Sequence, residues 1–173
     1  SMIARAGELA IVVNNLINSG LLVGNNTEIN VGTFKNSGSS ARIQASEDLI
    51  IINKTGGLEN LNGATLYSAK NVSLNSAGDV KNVGSAIQAN GSINVETEDL
   101  YNSNNSTLSA MTGLLNIDVN NIINNGLLAG NSVSINAVNI NNEDAGAQIQ
   151  AVGLADSSVL NISVLGDIYN KGG

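Results

Sequence analysis

Asp79 and Asp99 each stand three residues before an asparagine that belongs to a recurring series, Asn82 and Asn102. If that recurrence is structural, the two carboxylates lie one above the other, roughly 5 Å apart. Such a separation suits a retaining glycosidase pair or a cation site. The competing reading is a pair of solvated Asx-type corners. Asn15, Asn121 and Asn139 occupy the same place in their own repeats, which favours the corner. The acidic pairs at 47–48 and 143–144 and the run "ETED" at 96–99 read as solvated corners that oppose lateral aggregation, with weak calcium binding as the alternative. The chain has no His and no Cys, so the usual general bases, thiol nucleophiles and soft metal ligands are missing. The expectation is therefore a protein that is not an enzyme, with no catalytic, cofactor-binding or metal residues and no cofactor.

What would position these side chains is set by an unusual composition. The 173 residues are 42% hydrophobic but only 2% aromatic, with no Pro and no Trp, and Asn is the commonest residue. Abundant Asn, Gly, Ser and Val disfavour helix and favour strands joined by tight corners. Regularly placed Val, Ile and Leu exclude a disordered tract. A net charge of −7, with seven Lys and Arg scattered singly, argues against nucleic acid as a partner. Apolar runs such as "LIII" at 49–52 have the length of a strand and fall far short of a membrane span.

The phrase "NNLINSGLLVGN" at 14–25 returns as "NNIINNGLLAGN" at 120–131, and "ARIQA" at 41–45 returns as "AQIQA" at 147–151, both shifted by 106 residues. Between them a shorter unit recurs: alternating apolar positions, a gap, one further apolar position, then Asn. Representative copies are Leu9, Ile11, Val13, Leu16, Asn18 and Leu115, Ile117, Val119, Ile122, Asn124. The marker asparagines fall at 18, 36, 60, 82, 102, 124, 142 and 170, a mean spacing of about 22 residues. After each but the last comes a second short apolar element: Leu21–Val23, then 43–45, 66–68, 87–89, 108–110, 127–129 and 149–151. Period-two alternation is a strand signal, and strands this short are stable only when stacked. The reading is all-β: a right-handed parallel β-helix of about eight rungs, with the 106-residue shift equal to five. Ile29, Leu49, Val72, Ile93, Leu115, Val133 and Leu160 are expected in one internal column. Ala45, Ala89, Ala110, Ala129 and Ala151 are expected at a tight inner corner. The marker Asn is either a turn residue bonding its own backbone or a rung of an amide ladder. The insertions "NKTGG" at 53–57 and "VGLADSS" at 152–158 are expected to protrude.

The best copies, "LAIVVNNLINSG" (9–20), "LNIDVNNIINNG" (115–126) and "VSINAVNINN" (133–142), resemble the repeats of filamentous haemagglutinin and related two-partner-secreted bacterial exoproteins, including contact-dependent inhibition exoproteins. The resemblance runs from about residue 7 to 173, with residues 1–6 as leading residues. It implies one repeat array, a fragment of a longer protein whose stack continues in both directions. It also implies a secreted or cell-surface filament segment, stiff and adhesive, exported through a dedicated outer-membrane transporter. Expected partners are neighbouring rungs of the parent filament and a cell-surface receptor or glycan. The alternatives are a receptor-binding segment acting through the insertions at 53–57 and 152–158, and a polysaccharide-active enzyme using Asp79 and Asp99.

Overall fold

Every repeat supplies three short strands because its apolar residues come in three alternating groups separated by Asn, Gly and Ser. In the computed structural model, which describes residues 1–4, 6–153 and 158–172, these strands stack in parallel on their counterparts in the next repeat. The described residues form strands joined by turns, bends and short irregular links, without a helix.

Three sheets result. The first carries the inward column Leu9, Thr27, Leu49, Val72, Ile93, Leu115, Val133 and Leu160. The second carries Leu16, Phe34, Leu58, Val80, Leu100, Ile122, Ile140 and Ile168. The third carries Met2, Leu22, Ile43, Leu66, Ile87, Leu108, Leu128 and Ile149. Each column holds eight residues, so the β-solenoid has eight levels joined by seven complete turns. The 106-residue shift spans five levels, as Leu16 and Ile122 show. Met2–Ile3 pairs with Leu22 and Val23, so the third sheet begins inside the residues read as leading ones.

The registers correct three alignments. Thr27, not Ile29, stands beside Leu49; Ile29 belongs to the next inward column with Ile11 and Ile51. Leu22 and Leu128 are the inward residues of the third sheet, and Leu21 and Leu127 lie beside Arg42 and Gln148 on its outer side. The tight inner corner is lined by Gly24, Ala45, Ser68, Ala89, Ala110, Gly130 and Ala151, so Gly130 takes the place expected for Ala129. Only the smallest side chains fit there: a Cβ on Gly130 would lie 3.0 Å from the Leu115 backbone nitrogen and 2.3 Å from the Ser132 carbonyl oxygen.

The marker asparagines form an amide ladder. Each Nδ2 donates to Oδ1 of the asparagine one level on: Asn18 to Asn36 (2.8 Å), Asn36 to Asn60 (2.9 Å), Asn60 to Asn82 (2.9 Å), Asn82 to Asn102 (2.9 Å), Asn102 to Asn124 (2.8 Å), Asn124 to Asn142 (2.7 Å) and Asn142 to Asn170 (2.7 Å). From Asn18 to Asn124 the side-chain amide also donates to a backbone carbonyl of the third sheet, as from Asn82 to Thr107 (3.0 Å). All the ladder residues but Asn170 are buried. A buried amide leaves nothing to water, and from Asn18 to Asn124 both hydrogens and the oxygen are satisfied internally.

Two residues past the marker the chain turns sharply. Gly38, Asn62, Gly84, Asn104, Asp144 and Gly172 all hold φ between 56° and 104°. Asn, Asp and Gly tolerate this left-handed backbone best, which explains the recurrent Asn-x-Gly phrase. At Gly20 and Gly126 the backbone N–H instead donates to the marker's own Oδ1, at 3.2 and 3.3 Å.

Candidate binding surface

The corner that leads into the second sheet carries Asp79 and Asp99. It brings them to adjacent levels, because Val80 pairs with Leu100 and Asp99 pairs with Asn121. Asn15 lies in the same column beside Thr33, and Asn139 lies beside Asn121. Both carboxylates are half-buried and engaged. Asp79 meets Lys81 Nζ at 3.5 Å. Asp99 Oδ1 accepts the Asn121 side-chain amide at 2.7 Å and its backbone N–H at 3.1 Å. Asn139 then donates to Asn121 at 2.9 Å. Asp99 thus caps the backbone of the next level, as an Asx-type corner does, whereas Asp79 is engaged by Lys81 alone.

The acidic pairs are tied to the stack in the same way. Glu47 forms an ion pair with Lys70, whose pKa is raised above its ordinary 10.5 by the Glu47 hydrogen bond and charge. Asp48 accepts from the Asn71 amide at 3.0 Å, and Asp144 from Asn125 at 3.1 Å. Glu96 accepts from Asn75 at 3.1 Å. Among the described residues no group of three or more Asp or Glu gathers in a way that would hold a metal ion.

Residues 53–57 do not protrude as expected. Asn53 is buried, pairs in register with Val31 and Ser76, and bonds Gly57 and Gly56 through its side chain at 2.7 and 3.1 Å. Lys54 N–H donates to Val31 and Thr55 Oγ1 to Gly32, so the extra residues are bonded into the stack. Of the second insertion, residues 154–157 lie outside the described residues; Val152 and Gly153 bond to Gly130 and Asn131.

The extra residues at 53–57 have another effect. Gly56, Gly57 and Gly78 meet at the corner so closely that a Cβ on Gly57 would lie 2.9 Å from the Asp79 carbonyl oxygen. With no side chains there, an open groove of about 620 Å³ runs beside the second sheet. Its wall includes the outward residues Ile17, Lys35, Glu59 and Lys81, each immediately before a marker Asn, and the same column continues beyond the groove as Tyr101, Ile123, Asn141 and Tyr169. Lys35 pairs with Glu59 at 3.2 Å, and Lys81 lies 5.6 Å from the Tyr101 ring centre. A shallower depression of about 350 Å³ continues the same face at Ile123 and Tyr169. Sequence reasoning missed this surface, although the charges at 35, 59 and 81 keep the step of the marker asparagines and signal that they stack.

Comparison with known proteins adds an independent observation. The chain is similar to proteins named CdiA. It is 36% identical over 72 residues to "Toxin CdiA" of Escherichia coli, covering 42% of this chain and 2% of the relative. It is 30% identical over 138 residues to "16S rRNA endonuclease CdiA" of Enterobacter cloacae, covering 79% of this chain and 4% of the relative. The chain therefore spans a few per cent of the length of the curated relatives it matches. No family model and no solved structure matches it. The second relative corrects one expectation: its printed name is that of an enzyme, so the reading "not an enzyme" does not hold.

Proposed function

We propose that this chain is a rigid, adhesive spacer within a large secreted exoprotein of the contact-dependent inhibition type. It would hold other parts of that protein away from the producing cell, reach the surface through an outer-membrane transporter of the two-partner kind, and contact a neighbouring cell along its side. The observation that carries the reading is the unbroken amide ladder through eight levels, which with the closed parallel stack makes a rod whose length is set by the number of repeats. The CdiA matches support it, since this chain corresponds to a small share of very long proteins. The name of the Enterobacter cloacae relative supports an RNA-cleaving activity in the parent protein.

The test is a pair of deletions in the full-length exoprotein. Removing residues 60–81 takes out one level and lets Asn82 follow Glu59 in phase; removing 60–70 breaks the phase. The in-phase deletion should preserve surface display and target-cell inhibition, and the out-of-phase deletion should abolish both. Equal outcomes would end the spacer reading.

A further inference from the structure

We propose that the outer face of the second sheet binds a linear, uncharged glycan laid along the solenoid axis, with one sugar ring opposite each level. Four observations lead there. First, the backbone of this face is committed to its own stack, Val80–Val83 pairing with Leu58–Leu61 on one side and Leu100–Ser103 on the other. A peptide cannot add as a strand, so recognition rests on side chains. Second, those side chains repeat at the strand spacing of about 4.8 Å, which is close to the rise per residue of an extended β-linked pyranose chain. Thr33, Asp79, Asn121 and Asn139 supply a hydroxyl, a carboxylate and amides along one edge of the path, chemistry suited to sugar hydroxyls.

Third, the groove and the shallower depression lie on the same face, with Tyr101 between them at the level that joins the two. Tyr101 is half-buried, and the Lys81 ammonium 5.6 Å from its ring centre biases the ring's orientation before a ligand arrives. An aromatic ring stacks on the C–H face of a pyranose at small entropic cost. Fourth, the charges cancel locally. The protein carries −7, yet both lysines in the groove are paired, Lys35 with Glu59 and Lys81 with Asp79. Glu98 adds a further negative charge at the rim, so an acidic polysaccharide is repelled where an uncharged one is not.

The experiment is calorimetric titration of this chain with chito- and cello-oligosaccharides, from the disaccharide to the hexasaccharide. Affinity should rise with each added sugar, because each occupies a further level. Tyr101→Ala should weaken hexasaccharide binding about tenfold, and Lys35→Ala should weaken it less. Tyr67→Ala is the control: that ring makes a similar contact with Arg42 (5.8 Å) but belongs to the third sheet, away from the column that Tyr101 shares with Lys81 and Ile123. It should bind as the parent chain does, and heparin should not compete. Circular dichroism of each variant reports whether the stack is intact. Absence of binding at every length, affinity independent of length, or equal loss in Tyr101→Ala and Tyr67→Ala would overturn the proposal. None of those results touches the spacer reading, which the in-phase deletion tests separately.

Discussion

Two columns of polar residues run the length of this molecule only three positions apart, and they obey different rules. The marker column is Asn at all eight levels. The corner column beside it contains Asn15, Thr33, Gly57, Asp79, Asp99, Asn121 and Asn139. The marker must give two hydrogens and take one, all away from water, and no other side chain of that length offers the same set. A corner residue needs at most to cap one backbone N–H, and solvent can stand in for anything it lacks. Uniformity therefore follows the number of obligations a position carries and not its polarity.

The sharpest contrast between inward and outward positions is Ile117→Asp against Asp118→Asn. Ile117 is fully buried and Asp118 is exposed. The first change strands a charge in the core and should cost about 4 kcal/mol. The second keeps an oxygen for the Asn136 amide, 3.1 Å away, and should be nearly neutral. Equal melting temperatures would show the two faces misassigned. Within the polar columns, Asn82→Leu removes three hydrogen bonds and leaves Asn60 and Asn102 with buried groups unpaired. It should lose about 3 kcal/mol in urea unfolding, whereas Asn121→Ala in the corner column should lose about 0.5 kcal/mol. Similar losses would remove the distinction between the columns.

Thr27 tests the rule from the other side. Its hydroxyl is buried without a partner in an otherwise apolar column. Thr27→Val keeps the shape and removes the unpaired group, so it should stabilise by about 1 kcal/mol; a loss on the same scale would mean the hydroxyl is bonded after all. The smallest effect is expected at the exposed pair Glu47–Lys70. Because Glu47 raises the Lys70 pKa above 10.5, the pair's contribution is complete below that value and fades as pH rises through the folded pKa. Melting curves of the parent chain and Glu47→Gln should differ by a small constant amount at neutral to mildly alkaline pH and converge in strong alkali. Convergence already near pH 9 would contradict the direction of the shift.

The stack and its phase were legible because inward positions repeat one chemistry: Leu, Ile and Val in three columns and Asn in a fourth. Legibility failed wherever a position broke its column's type. Thr27 is polar among aliphatics, so the neighbouring Ile29 was aligned in its place. Gly130 is a residue with no side chain to match, and Ala129 beside it looked like the better fit. The groove was invisible for a related reason: it is made by what Gly56, Gly57 and Gly78 lack, and their proximity comes from extra residues that bond along the stack instead of forming a free loop.

One further consequence lies in the distance between ladder partners along the chain. It is 18, 24, 22, 20, 22, 18 and 28 residues, nearly constant from one end to the other. The entropy of closing a loop grows only with the logarithm of its length, so the shortest and longest of these differ by about 0.4 kcal/mol. Each new level therefore faces almost the same barrier as the one before it, and the search a residue makes for its partner never widens as the chain lengthens. Once one turn has formed it serves as a template for the next, so a longer array is built by repeating the same short closure.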